Sequence, residues 1–121
     1  MSEKEETEDE HECVKVTGNE ILFYGDVDRE NALQFVTEFK KLEIELLKKK
    51  AELVGFEPTV RVHIMSDGGC IFSGMTMKNT LEASRVKVIT IAQGSCCSAA
   101  TFMLLGGSER RMGKNAYVLI H

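Results

Sequence analysis

Short runs of β-favouring residues alternate along this chain with stretches whose apolar residues recur every three or four positions. Two such runs, 14–17 and 21–24, flank Gly18-Asn19, a pair typical of a two-residue hairpin turn. Asp28 then precedes a stretch from Arg29 to about Val54 with the spacing of an amphipathic helix. The apolar residues of that stretch are Ala32, Phe35, Val36, Phe39, Leu42, Leu46 and Leu53.

The same alternation continues through the rest of the chain. Further strands are predicted at 60–65, 86–92, 110–112 and 116–120, with helices at 71–84 and about 97–105. Strands that alternate with helices favour a largely parallel sheet with helices packed on its faces. The pattern therefore predicts an α/β fold.

Charge is distributed unevenly between the amino terminus and the remainder of the chain. Residues 1–12 hold seven acidic residues and one Lys, a net charge of −6, within a total of −4. We predict a disordered acidic tail at 1–12, the alternative being a docking segment for a partner, and one domain at 13–121. The near-neutral remainder has no basic stripe interleaved with aromatic residues, so no nucleic-acid binding is expected.

Hydropathy and cysteine spacing argue against a membrane protein, a secreted protein and a metal-binding protein. No apolar run reaches the length of a membrane span, and the acidic start differs from a secretory signal, so a cytoplasmic protein with free thiols is predicted. The four cysteines and three histidines lack the spacing of metal ligands, so no metal site is expected. The cysteines are Cys13, Cys70, Cys96 and Cys97.

Candidate chemistry lies at two strand-to-helix junctions and at one strand end. Gly68-Gly69 follows the strand at 60–65, Ser98 lies near the start of a short helix, and His121 follows the last strand. Each also fits a structural role: a tight turn, a helix N-cap and a strand-end histidine. The adjacent cysteine pair is a competing nucleophile. In this order, however, the three supply oxyanion donors, a nucleophile and a base, as acyl transfer requires.

Three sequence blocks resemble the proteolytic subunit of the Clp protease, ClpP. The block V-H-I-M-S-D-G-G-C-I-F-S-G at 62–74 is similar to I-x-I-N-S-P-G-G-x-x-x-x-G, and G-S-C-C-S-A-A-T-F at 94–102 is similar to G-x-A-A-S-M-G-A-F. Arg111 with V-L-I-H at 118–121 resembles R…V-M-I-H-Q. The resemblance extends from about Ile21 to His121.

This resemblance implies a serine peptidase with a crotonase-like ββα superhelix. It assigns Ser98 as the nucleophile, His121 as the general base, and the backbone N–H groups of Gly69 and Ala99 as the oxyanion hole. Asp67 stands where the family usually has Pro, which adds a charge close to the oxyanion turn.

The resemblance also implies an assembly and its partners. Such subunits form rings of seven that stack in pairs, and an ATP-driven AAA+ unfoldase feeds unfolded polypeptide into the chamber. ATP is used by the unfoldase, and the peptidase itself needs no cofactor or metal. The expected location is the cytoplasm of a bacterium or of a phage-infected host. The long charged helix after the first hairpin resembles compact phage-encoded versions.

The third catalytic residue of the family, an Asp, lies beyond the position of His121. We therefore expect this sequence to be the amino-terminal two-thirds of a peptidase domain, with a fold incomplete at its carboxyl end and no peptidase activity alone. Two alternatives stay open. One is a catalytically silent, structural ClpP-like subunit, and the other is a crotonase-like enzyme that acts on coenzyme A thioesters.

Overall fold

Six strands and three helices form the part of the chain that the computed structural model describes, residues 12–120. The elements are β1 (Val14–Thr17), β2 (Glu20–Tyr24), α1 (Arg29–Glu52), β3 (Thr59–Ser66), α2 (Ile71–Glu82), β4 (Lys87–Cys97), α3 (Ala100–Leu105), β5 (Glu109–Met112) and β6 (Tyr117–Leu119). The predicted acidic tail, apart from Glu12, lies outside the described residues, and its disorder stays a prediction.

All six strands of the described region join one sheet in the order β1-β2-β3-β4-β5, with β6 paired to β4 beyond the end of β5. β1 and β2 form the predicted antiparallel hairpin, in which Thr17 pairs with Glu20 and Gly18 takes a φ of +60°. Every other pairing is parallel. The prediction of an α/β fold with a largely parallel sheet is confirmed.

Helix α1 begins where the sequence predicts, because Asp28 caps it. The Asp28 carboxylate accepts a hydrogen bond of 2.8 Å from the Asn31 N–H. The helix buries one stripe, formed by Ala32, Phe35, Phe39, Leu42 and Leu46. The Phe35 ring meets the Phe23 ring of β2 edge-on at 6.0 Å. Leu53, which the pattern placed on this stripe, lies beyond the last helical residue and is 54% exposed.

The core lies on one face of the sheet, where side chains of all three helices meet alternate residues of the strands. Val60, Val62 and Ile64 of β3 are fully buried. The opposite face of β3 carries His63, whose Nε2 lies 2.5 Å from Glu20 Oε1 and whose Nδ1 lies 2.6 Å from Gln93 Nε2. These hydrogen-bonded side chains link β2, β3 and β4 on the side of the sheet opposite the core.

The sequence prediction was wrong about the end of β4. It ended the strand near Ala92 and began a helix near Cys97, whereas the strand continues to Cys97 and α3 begins at Ala100. Residues 95–97 stay extended because they pair with residues 117–119 of β6. That pairing partner is distant in sequence, so the small residues at 94–95 resembled a turn when they were judged locally.

Candidate active site

The two strand-to-helix junctions meet at the carboxyl ends of neighbouring parallel strands. Ser66 of β3 pairs with Cys96 of β4. Gly68 and Ser98, each two residues further along the sequence, are therefore also neighbours. A Cβ placed on Gly68 would lie 2.9 Å from the Ser98 Cβ and 3.4 Å from the Ala99 nitrogen. The Gly68-Gly69 turn therefore packs directly against the Ser98-Ala99 peptide.

The Gly68-Gly69 turn has a geometry that only glycine adopts easily. The φ angles are +107° and +148°, and a Cβ on Gly69 would overlap the Val27 carbonyl. Val27 also pairs with the turn, since its N–H donates to Gly68 O at 2.9 Å and its carbonyl accepts from Cys70 N at 2.7 Å. From the other side, the buried Ser66 Oγ accepts a hydrogen bond of 3.1 Å from the Gly68 N–H.

Ser98 takes a φ of +52°, the left-handed conformation that residues other than glycine seldom adopt. Hydrogen bonds hold it there: Thr101 donates to the Ser98 carbonyl from its N–H at 3.0 Å and from Oγ1 at 2.6 Å. The Ser98 N–H donates to Leu119 O at 2.8 Å. The structural alternative, Ser98 as the helix N-cap, is wrong, because Ala99 occupies that position.

Two backbone donors beside Ser98 have no protein acceptor within residues 12–120. Neither the Gly69 N–H nor the Ala99 N–H donates to another described residue. An oxyanion hole needs such donors, fixed in advance beside the nucleophile. The structure therefore brings together three of the four predicted site residues, and their catalytic roles stay predictions.

The fourth, His121, lies outside the described residues, so its role as the base is also a prediction. Leu119, two residues earlier in the sequence, contacts Ser98 through the hydrogen bond to its carbonyl. β6 therefore ends beside the nucleophile position.

The competing cysteine nucleophiles are poorly suited to catalysis. Cys96 and Cys97 are buried, and burial raises the pKa of the Cys96 thiol to about 11. The Cys96 thiol is also hydrogen-bonded to the Ala100 carbonyl at 3.5 Å. All four cysteines are free, as predicted.

Sequence reasoning missed two supporting hydroxyls, those of Ser66 and Thr101. Each fixes the backbone of one junction by a side-chain hydrogen bond. A hydroxyl residue two positions before a glycine, as in S-D-G-G, is typical of such a turn and was the available signal for Ser66.

The described residues contain neither a candidate metal cluster nor a candidate membrane span. No group of three or more His, Cys, Asp or Glu side chains is placed to hold a metal ion in that part of the chain. No helix between residues 12 and 120 is both long and apolar enough to cross a membrane.

The known proteins that this chain resembles belong to one family. The family model described as Clp protease matches residues 8–121. An ATP-dependent Clp protease proteolytic subunit from Lepidium virginicum is 36% identical over 104 residues, which are 84% of this chain and 48% of that protein.

Two solved structures share the fold. A mutant ClpP1 from Listeria monocytogenes matches with a TM-score of 0.72 at 21% identity, over 86% of this chain and 56% of that one. The ClpP protease catalytic domain from Plasmodium falciparum matches with a TM-score of 0.70 at 19% identity, over 85% and 53%. The chain spans about half the length of these relatives.

Proposed function

Since the chain belongs to the Clp protease family, we propose that it carries the nucleophile and the oxyanion hole of a serine endopeptidase subunit. The observation that carries this proposal is the contact between the Gly68-Gly69 turn and the Ser98-Ala99 peptide. That contact places a hydroxyl beside two N–H groups that no described residue uses. Acyl transfer needs this combination.

In the proposed mechanism, His121 takes the proton from Ser98 Oγ as the oxygen attacks the carbonyl carbon of a peptide bond. The negative charge that develops on the carbonyl oxygen is held by the N–H groups of Gly69 and Ala99. A single donor of this kind contributes about 3 kcal/mol to transition-state stabilisation in serine proteases. The imidazolium then protonates the leaving amine, and water hydrolyses the acyl-enzyme.

The backbone of Ser98 supports this role. A serine in a strained turn between a strand and a helix presents its hydroxyl clear of both elements, as nucleophiles do in other hydrolases. Ser98 lies between β4 and α3 with a positive φ. Its hydroxyl forms no hydrogen bond with any other residue of 12–120, which leaves it available to a base.

The substrate and the assembly that we propose are those of the family. Unfolded polypeptides are the proposed substrates, delivered by a separate AAA+ ATPase to stacked heptameric rings in the cytoplasm, and the peptidase itself uses no cofactor. Leu33 and Phe72 support an assembly, because these large apolar side chains are 69% and 78% exposed and line the same surface pocket. Contiguous exposed apolar surface is typical of protein interfaces.

Hydrolysis of a fluorogenic peptide and of an unfolded, dye-labelled protein by the full-length protein tests the proposal. Ser98→Ala should lower turnover by at least about 10³-fold, whereas Ser95→Ala, three residues earlier, should leave it unchanged. Undiminished turnover in Ser98→Ala would contradict the assignment. A wild-type protein without turnover would favour the silent structural subunit, and Ser98-independent cleavage of an acyl-CoA would favour the thioester enzyme.

A further inference from the structure

Asp67 lies at the edge of the candidate active site. It joins the end of β3 to Gly68, and its side chain is exposed. Because Gly68 packs against Ser98, and consecutive Cα atoms are about 3.8 Å apart, the Asp67 Cα lies at most about 8 Å from the Ser98 Cβ. The backbone of Asp67 therefore lies about one Debye length or less from the Ser98 side chain at physiological salt, where that length is about 8 Å.

Two further acids, Asp26 and Asp28, lie on the segment next to Asp67. The segment after β2 runs beside the turn, since Gly25 N donates to Met65 O at 3.1 Å and Val27 N donates to Gly68 O. This places the exposed Asp26 and Asp28 next to the Asp67 segment. We call these three residues the acidic rim.

Apart from the positive end of α1, which Asp28 caps, little positive charge balances the acidic rim. None of the ion pairs formed among residues 12–120 includes any of its three carboxylates. Arg29 is the cation nearest in sequence, and its charge helps to lower the pKa of the exposed Cys70 thiol, after the larger effect of hydrogen bonding from Ser73. Within the segments 25–30 and 65–70, Glu30 adds a further acid and Arg29 is the one base.

We propose that Asp67, reinforced by Asp26 and Asp28, gives this site a preference for peptides with Lys or Arg beside the cleaved bond over peptides with Asp or Glu. The inference rests on the proposed peptidase function. A bound peptide must place its carbonyl at the Gly69 and Ala99 N–H groups, so its neighbouring side chains lie close to Asp67. A cationic side chain is attracted there, and an anionic one is repelled.

The same carboxylate acts on the reaction itself. Negative charge develops on the carbonyl oxygen in the transition state, and Asp67 opposes it. Neutralising Asp67 should therefore have two opposite effects: faster cleavage of an uncharged peptide and a weaker preference for the cationic one. If the role of Asp67 were purely structural, its neutralisation would not raise the rate of cleavage of the uncharged peptide while lowering the preference for the cationic one.

Peptide binding to the full-length Ser98→Ala protein tests the preference without requiring turnover. Three fluorescent peptides that differ only in Lys, Gln or Glu beside the scissile bond would be compared by anisotropy in 50 mM and 500 mM NaCl. We expect the Lys peptide to bind at least about fivefold more tightly than the Glu peptide at low salt, and less than twofold at high salt. Adding Asp67→Asn should bring the low-salt ratio below twofold.

Glu57→Gln is the matched control. It also removes one exposed carboxylate, but residue 57 precedes the opposite end of β3, and the strand between it and Asp67 is about 20 Å long. The Lys-to-Glu binding ratio should stay unchanged in this variant. An equal loss in Glu57→Gln and Asp67→Asn would assign the preference to net charge and overturn the role of Asp67.

The values of kcat/KM for the same peptides, measured with Ser98 present, separate this inference from the function on which it rests. Asp67→Asn should raise kcat/KM for the Gln peptide by about twofold or more and reduce the Lys-to-Glu ratio of kcat/KM. Retained binding preference without any cleavage would refute the peptidase function but support the inference. Cleavage or binding without a charge preference, or no binding of any peptide, would overturn the inference.

Discussion

Gly68 and Ser98 are in direct contact, and both have backbone conformations that residues other than glycine seldom adopt. Ser98 has a φ of +52°, and a non-glycine residue in this region costs about 1–2 kcal/mol. The Thr101 hydroxyl and N–H, which both donate to the Ser98 carbonyl, offset that cost. The strain is therefore sustained by contacts that lie outside the proposed catalytic groups.

Gly68→Ala should be far more destabilising than an alanine at another left-handed glycine. A Cβ at Gly68 would lie 2.8 Å from Cys97 O, in addition to the cost of its φ of +107°, whereas Gly18 has open space around it at a φ of +60°. We expect Gly18→Ala to lower the free energy of unfolding by about 1 kcal/mol and Gly68→Ala by about 3 kcal/mol or more. Urea unfolding followed by circular dichroism measures both, and equal losses would contradict the close packing at Gly68.

Cys70 should be the first thiol to react with an alkylating reagent. It is exposed and its pKa is lowered, chiefly by hydrogen bonding from Ser73, so more of it is thiolate at pH 7.5. Cys13 and Cys96 are buried, and burial raises their pKa values to about 12 and about 11. Iodoacetamide labelling followed by peptide mass mapping should modify Cys70 at least about tenfold faster than either. Earlier labelling of Cys96 would show that β4 is not packed as described.

At the scale of elements, local signals predicted which elements form but not every boundary between them. The hairpin at Gly18 and the cap at Asp28 are fixed by turn and capping chemistry that the sequence displays directly. The extension of β4 to Cys97 depends on β6, about twenty residues later, and no local pattern reports it. Pairing between distant strands sets such boundaries, which is why they were missed.

The candidate site, too, could be predicted only in part from the sequence. Resemblance to the family identified Gly69, Ser98 and Ala99, and the parallel pairing of β3 with β4 places them together. The left-handed backbone of Ser98 was not predicted, because Ser has no intrinsic preference for a positive φ. Hydrogen bonds hold that conformation: a local pair from Thr101, three residues later, and one to Leu119, which tertiary structure brings to Ser98.

Two substitutions on α1 test the orientation of this helix on the sheet. Phe35 is fully buried and contacts the Phe23 and Phe39 rings, whereas Leu33 is 69% exposed. Phe35→Ala should lower the free energy of unfolding by about 3–5 kcal/mol, and Leu33→Ala should change it by no more than about 0.5 kcal/mol. Chemical denaturation measures both. A large loss at Leu33 together with a small one at Phe35 would mean that the helix is rotated about its axis.

At the scale of the whole molecule, the packed core begins directly after Glu12. Of residues 1–12, only Glu12 is described, and its carboxylate accepts a hydrogen bond of 3.1 Å from the Gln34 amide. The core begins at Cys13 and Val14, which are 7% and 2% exposed. The core as described therefore takes no apolar contribution from Glu12.

Deletion of residues 1–11 should change the melting temperature by no more than about 2 °C. Carboxylates crowded in this segment repel one another, and its sequence offers no apolar face to bury. Differential scanning calorimetry of the deleted and intact proteins at equal concentration makes the comparison. A decrease of about 10 °C would show that the segment is packed against the domain.

The central claim of this account is that Ser98 is the nucleophile of a serine peptidase. Covalent labelling of the full-length protein with a fluorophosphonate, followed by peptide mass mapping, tests it most directly. We expect one adduct, on Ser98, that disappears in Ser98→Ala while circular dichroism shows the fold intact. An adduct on Ser95, Cys96 or Cys97, or unchanged labelling in Ser98→Ala, would contradict the claim.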